Sequence, residues 1–149
     1  GRLKRVKQYV ENEKFCFTYG DGVSNIDIKK LIAFHERKKS KATVTAVQPP
    51  GRFGILKINE DDTTSFIEKP AGDGNWINAG FFVCNSEVFD YIDSDEGVVF
   101  EEAPLQRLAE DGKLYTYKHT GFWKPMDSLK DKGDLNNLWN DGEAPWKVW

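Results

Sequence analysis

Two aspartates stand where a lone carboxylate could meet a charged ligand. Asp21 lies in "FTYGDGV", between two glycines at the end of an aromatic, strand-like run. Aspartate beside glycine is a common turn pair. A calcium loop needs oxygen ligands at alternate positions, and Val23 holds one of them here. Besides the turn, the remaining use is a single-carboxylate ligand for Mg2+, with the glycines letting phosphates approach the backbone. Magnesium at phosphate sites takes one or two protein carboxylates and completes its sphere with water and phosphate oxygens. Asp127, in "GFWKPMDSLKD", offers a second carboxylate. Its ordinary role would be a helix N-cap, yet Ser128 with Asp131 already matches a capping box and leaves Asp127 unneeded for that task. Asp21 and Asp127, each expected at a strand-to-helix junction, could clamp one ion.

Two further stretches suit a sugar phosphate. "FIEKP" presents Glu68 and Lys69. Pro70 restrains Lys69 to an extended backbone and so aims its ammonium. A fixed lysine suits a phosphate monoester, and a neighbouring glutamate suits hydroxyls. Adjacent strand residues point to opposite faces, so both reach one ligand only where the strand bends. In "WINAGFFV", Ile77, Ala79, Phe81 and Val83 form one apolar face, while Asn78 and Gly80 share the other. A sugar ring could lie in the gap that Gly80 leaves beside Asn78; a bulge or a closely packed neighbour would explain the glycine equally well. Cys16 and Cys84 fall inside expected strands and read as small buried hydrophobes. His35 and His119 lack zinc spacing and read as structural or surface residues.

The elements that must position these groups alternate. Leu3, Val6 and Val10 recur at helical spacing. "KFCFTYG" is an expected strand, followed by a helix over "NIDIKKLIAFHERKK" with Asn25 as N-cap and Ile28, Leu31, Ile32 and His35 on one face. "ATVTAVQPP" is a strand stopped by two prolines, "FGILKIN" and "TTSFIEKP" an antiparallel pair around "EDD", and "WINAGFFVCN" another strand. Helices follow over "SEVFDYID", capped by Ser86, and "EEAPLQRLAEDG", with Pro104 in the first turn and Gly112 at the end. "KLYTYKHTGFW" is a late strand, and "DSLKDKGDLNNLW" a last helix weakened by Gly133. The tail "NDGEAPWKVW" is expected to pack back on the domain or on a partner. The pattern predicts an α/β fold: a Rossmann-like mixed sheet flanked by helices, in one domain over residues 1–149. Ligands of such sheets gather at the carboxyl ends of strands, where Asp21 falls.

Composition sets outer limits. With 39% hydrophobic and 30% charged residues in 149, the chain has an ordinary globular profile. A net charge of −3 with interspersed signs argues against a nucleic-acid partner. No apolar run approaches the roughly 20 residues of a membrane span, and no signal peptide is visible, so a cytoplasmic protein is expected.

Taken together, "GRLKRV", "FTYGDGV", "PPGRFG", "EKP", "INAGFF", "GFWKPMD" and "APWKVW" resemble the sugar-1-phosphate nucleotidyltransferases, and closely their glucose-1-phosphate cytidylyltransferase members. The resemblance runs along nearly all of the chain. It implies attack of a sugar 1-phosphate oxygen on the α-phosphate of CTP, giving CDP-glucose and pyrophosphate. By position it makes Asp21 and Asp127 the Mg2+ ligands and Lys69 the sugar-phosphate cation. Glu68, Asn78 and Gly80 then surround the sugar, and Arg2 and Gly20 contact the nucleotide. Family members begin with a strand and a glycine-rich G-x-G-T-R-x loop followed by a lysine, which cradle the triphosphate. This chain begins at Gly1 without that segment, so a truncated family member is expected, with little or no turnover by the chain alone and a homo-oligomeric state. Two other readings remain open from the sequence: a non-catalytic sugar-phosphate or sugar-nucleotide binding remnant, and a carbohydrate-binding protein stacking Trp76 or Trp123 on sugar.

Overall fold

The computed structural model describes every residue except 1, 11, 52–54, 62, 69–74 and 94–96. In chain order the elements are α1 (Arg2–Arg5), α2 (Lys7–Val10), β1 (Phe15–Thr18), β2 (Gly22–Ser24), α3 (Ile28–Lys38), β3 (Ala42–Val47), β4 (Ile55–Ile58), β5 (Thr64–Ile67), β6 (Ile77–Cys84), a 3-10 helix (Ser86–Tyr91), α4 (Ala103–Glu110), β7 (Leu114–Lys118), β8 (Trp123–Pro125) and α5 (Leu129–Asn140). They divide into two compact units. The first comprises Gly1–Gly20, Ile26–Thr45 and Gly80–Tyr117; the second comprises Asp21–Asn25, Ala46–Ala79 and Lys118–Trp149.

The first unit is built on a sheet of order β1-β6-β3-β7, in which β1 and β6 are antiparallel and pair Phe15 with Cys84 and Thr18 with Phe81. The alternation of β6 sends its residues into two cores. Phe82 and Cys84 join Ala42, Val88, Phe89, Phe100 and Leu108 on one face, under the 3-10 helix and α4. Val83 and Phe81 meet Leu31 and Ile32 of α3 on the other. Helices therefore cover both faces. The mixed α/β architecture expected from the element pattern is the one observed. Stacked rings knit the first core: Phe17 lies 4.5 Å from Phe82 and Phe15 lies 5.5 Å from Phe89 between centroids. Fully burying one such ring stabilises by roughly 1.5–3 kcal/mol.

Local corrections follow from competing hydrogen bonds. The opening helix is two short turns, and Leu3 and Val10 pack on the core while Val6 is 43% exposed. Helix α3 begins later than the sequence suggests. Asp27, not Asn25, is its N-cap and accepts from the Lys30 amide at 3.0 Å. The Asn25 side-chain oxygen is engaged elsewhere, facing His119 Nε2 at 3.0 Å. The Ser86 helix is 3-10, and Asn85 occupies its cap position. Asn85 instead ties Ser40 and His35 together. Its amide donates to the Ser40 carbonyl, and its side-chain oxygen accepts from His35 Nε2 at 3.1 Å. His35 Nδ1 then accepts from one of the hydroxyls of Ser40 and Thr43, which stand 2.9 Å from it and 2.8 Å from each other. His35 is thus a satisfied core residue. Its neutral form is favoured, chiefly because burial disfavours the charged ring. Cys84 is buried but Cys16 is exposed, which corrects the expectation that both are buried; both thiols are free.

In the second unit, β4 and β5 form the expected antiparallel hairpin, pairing Leu56 with Phe66 and Ile58 with Thr64. The expected late strand is two: β7 belongs to the first unit's sheet, while β8 pairs antiparallel with β2. Gly133 does not interrupt α5, which runs through it. The tail packs back, with Trp146 stacked 5.5 Å from Phe122 and Lys147 Nζ 4.7 Å from the Trp139 ring.

Candidate functional site

The β2–β8 ladder brings distant segments of sequence together. Gly22 pairs with Pro125, Val23 with Lys124 and Ser24 with Trp123. One step beyond, the Met126 amide donates to the Asp21 carbonyl at 2.7 Å. Asp21 and Asp127 therefore come to the same end of one ribbon, although they are 106 positions apart in the sequence. Asp127 does stand at a strand-to-helix junction, between β8 and α5. Asp21 instead occupies a turn that leads into the short strand β2.

The capping box is present as the sequence spells it. Ser128 accepts from the Asp131 amide and Asp131 accepts from the Ser128 amide, so α5 starts without help from Asp127. Asp131 is held below the usual carboxylate range, first by its hydrogen bond from Ser128 and then by the Lys124 ammonium. Lys124 also reaches Asp134 at 2.6 Å, which ties β8 to the helix. Lys124, Asp131 and Asp134 thus have structural duties. Asp21 and Asp127 are exposed, and their carboxylates have no hydrogen-bond or ion-pair partner among the described residues.

Glu68 lies just past the end of β5, exposed, where strict strand alternation no longer applies. Lys69 lies outside the described residues. Asn78 is exposed at the start of β6. Gly80, in the first unit, is buried with a φ of +79°, and a Cβ there would stand 2.5 Å from the Tyr19 ring. The space beside it is thus filled by Tyr19, whose amide donates to the Gly80 carbonyl at 2.9 Å. Gly20, at the close of the first unit, is exposed, and nothing lies within 4 Å of where its Cβ would be. Arg2 opens α1 and is exposed.

One cavity of the second unit was not foreseen. It encloses about 160 Å³ and is lined by Trp76, Trp123, Pro49, Gln48, His119 and Thr120, among others. Its rings are held in place. Trp123 Nε1 donates to the Ala79 carbonyl at 2.9 Å, and Lys118 Nζ lies 5.0 Å from the Trp76 ring. His119 Nε2 faces Asn25 Oδ1 at 3.0 Å and the Phe122 carbonyl at 3.2 Å. A carbonyl can only accept, so Nε2 carries a proton there. Gly121 permits this closeness: a Cβ would stand 2.5 Å from Asn25 Oδ1 and 2.8 Å from His119 Cε1. The only sequence signal was the pair of tryptophans; Gln48 and His119 gave none.

Comparison with known proteins settles the lineage. Residues 3–143 match the profile of the nucleotidyl transferase family. This chain belongs to that family. Among curated relatives of this nucleotidyl transferase, the glucose-1-phosphate cytidylyltransferase of Salmonella typhimurium is 55% identical over 150 residues, covering 100% of this chain and 58% of that protein. The catalytic subunit beta of the Drosophila pseudoobscura mannose-1-phosphate guanylyltransferase is 32% identical over 123 residues, or 80% of this chain and 33% of that protein. The chain thus spans little more than half of the cytidylyltransferase it matches. The crystal structure of HddC from Yersinia pseudotuberculosis superposes with a TM-score of 0.66 at 21% identity, covering 92% of this chain and 60% of that one, a likeness of fold.

Proposed function

We propose that this nucleotidyl transferase chain serves the transfer of a cytidylyl group from CTP to glucose 1-phosphate, forming CDP-glucose and pyrophosphate. The observation that carries the reading is the meeting of Asp21 and Asp127 at one end of the β2–β8 ribbon, with neither carboxylate engaged among the described residues. In the reaction, an oxygen of the sugar phosphate forms a bond to the α-phosphorus of CTP. The bond from that phosphorus to the bridging oxygen breaks, and pyrophosphate leaves with its electron pair.

The donor set fits Mg2+. Two exposed carboxylates are hard oxygen donors, and among the described residues no group of three or more histidines, cysteines or carboxylates is gathered as a closed metal cage would require. Asp21 and Asp127 would hold the ion. When bound, it supplies charge neutralisation at phosphate oxygens. Lys69 would pair with the sugar phosphate, and Glu68, Asn78 and Gly80 would order the sugar, Gly80 through its contact with Tyr19. Arg2 and Gly20 would face the nucleotide. These residues bind and orient, and such transfers depend mainly on positioning and charge.

The choice of CTP and glucose 1-phosphate is supported by the 55% identity to a protein of that name against 32% for a guanylyltransferase. A homo-oligomer in the cytoplasm, with no nucleic-acid or membrane partner, completes the proposal. No described helix is long and apolar enough to cross a membrane. The test is pyrophosphate release from CTP and glucose 1-phosphate by the whole protein that carries this chain, with and without Mg2+. Asp21→Asn and Asp127→Asn should each lower the rate by about 10²-fold, the scale of losing one transition-state contact. Unchanged rates in both would remove the carboxylate pair from the reading.

A further inference from the structure

We propose that Lys124 is a positioning residue for Asp127: its ammonium, held between Asp134 and Asp131, fixes the junction of β8 and α5 and so sets where the Asp127 carboxylate stands. The inference rests on the reading of Asp127 as a Mg2+ ligand and deepens it, because it gives Lys124 a duty that acts through another residue.

Asp127 is exposed and its carboxylate has no partner among the described residues, so its place is set by the backbone that carries it. That backbone is fastened on both sides. Before it, the Met126 amide donates to the Asp21 carbonyl at 2.7 Å. After it, the Ser128 amide donates to Asp131 Oδ2 at 3.1 Å. The second fastening is only as firm as Asp131 and the first turns of α5, and Lys124 anchors both. Its Nζ stands 2.6 Å from Asp134 Oδ2 and 3.8 Å from Asp131 Oδ1. Asp131 thus gives one oxygen to the cap and presents the other to the ammonium.

Strand alternation lets Lys124 reach the helix, since neighbours on a strand point to opposite faces. Trp123 donates from Nε1 to the Ala79 carbonyl, and Lys124 turns to α5. Pro125 restricts Lys124 to the extended backbone that this requires. Charge adds a second argument. Asp131 and Asp134 lie three residues apart on α5, where side chains are neighbours and like charges repel. One ammonium between them relieves that repulsion and occupies both, leaving Asp127 and Asp21 to a cation.

The direction of the effect separates positioning from simple charge. Removing a lysine makes the surroundings of Asp127 more negative, which by attraction alone would tighten Mg2+. Losing an anchor weakens it. Mg2+ is titrated calorimetrically into the whole protein that carries this chain, in the presence of excess CDP-glucose. Lys124→Met keeps most of the stem without the charge and should raise the Mg2+ Kd about tenfold, the lower end of what losing an outer partner costs a metal site. Lys124→Arg can still span two carboxylates and should stay within about threefold of the unaltered protein. Lys124→Met combined with Asp134→Asn restores the local net charge and should keep the Kd raised about tenfold. This double variant also removes the unpaired Asp134 carboxylate, so it keeps the test informative should Lys124→Met alone fail to fold. CDP-glucose affinity without Mg2+ should be unchanged throughout.

Asp127→Asn runs in parallel. If it leaves the Mg2+ Kd unmoved, the carboxylate reading fails and takes this inference with it. If it raises the Kd while Lys124→Met leaves it unmoved or lowers it, the role of Lys124 fails alone. An equal loss of CDP-glucose affinity without Mg2+ would also overturn that role, since it would show a general disturbance of the fold.

Discussion

Asp127 and Ser128 are neighbours with opposite duties, and substitution should separate them. Ser128→Ala removes the acceptor for the Asp131 amide and should cost about 0.5–2 kcal/mol in urea unfolding. Asp127→Asn should leave the urea midpoint within about 0.5 kcal/mol, as for a surface change, while weakening the Mg2+-dependent binding of CDP-glucose seen by calorimetry. Equal losses of stability would mean that Asp127 shares in the cap. The capping box was legible because its partners are three residues apart. The His35 cluster was not, because its Nε2 partner lies 50 positions away. That cluster carries a pH dependence. Burial lowers the folded-state pKa of His35, with Lys14 also opposing the charged ring and Asn85, Glu36 and Glu87 favouring it. The unfolded ring titrates near about 6.5, so below that pH the unfolded chain binds the extra proton first. Stability from this group is fully present above about pH 6.5 and is lost as pH falls toward the folded value. Thermal unfolding should show Tm dropping between pH 7 and 5.5, with a shallower slope in His35→Gln; parallel slopes would assign the acid sensitivity elsewhere.

At the scale of elements, alternation and turn chemistry located most strands, and the misreadings share one cause. The hairpin of β4 and β5 was legible because both strands and their polar turn are contiguous. The break between β7 and β8 was not, since "KLYTYKHTGFW" reads as one β-prone run. Its second half leaves to pair with Gly22–Ser24, about a hundred residues earlier in the chain. The Asn25 side-chain oxygen likewise meets His119, 94 positions away, and the cap of α3 falls at Asp27. Strand β6 shows the converse. Its apolar face is visible in the sequence, which leaves a sugar gap and a closely packed neighbour equally open beside Gly80; the Tyr19 ring is that neighbour. Gly80→Ala would place a methyl 2.5 Å from that ring at a φ of +79°. Left-handed backbone costs a non-glycine residue about 1 kcal/mol and overpacking typically 1–3 kcal/mol more. Loss of about 2–4 kcal/mol in urea unfolding is expected, with a larger loss in Gly80→Val. A neutral result for both would show that Tyr19 moves aside freely.

For the molecule as a whole, family and fold were legible from short motifs spread over nearly the full chain, because each motif fixes backbone that the fold requires. Whether copies of the chain meet was not, because association depends on which apolar residues remain uncovered after folding. The β4–β5 hairpin displays such residues. Its register puts Leu56, Ile58 and Phe66 on one face, and they are 58%, 65% and 61% exposed. A two-stranded hairpin is marginal by itself in water, and contiguous exposed apolar surface marks interaction sites. A second copy meeting the same face would bury all three residues twice over by symmetry. At roughly 1.5–3 kcal/mol per fully buried side chain, six such residues contribute on the order of 9–18 kcal/mol, comparable with the roughly 4–15 kcal/mol cost of association. Sedimentation equilibrium at micromolar concentration should therefore report a mass above that of one copy. Leu56→Asp with Phe66→Asp should shift it toward a single copy without lowering Tm, since neither side chain belongs to a described core. A single-copy mass for the unaltered protein, or an oligomer unmoved by the double substitution, would place self-association elsewhere or remove it.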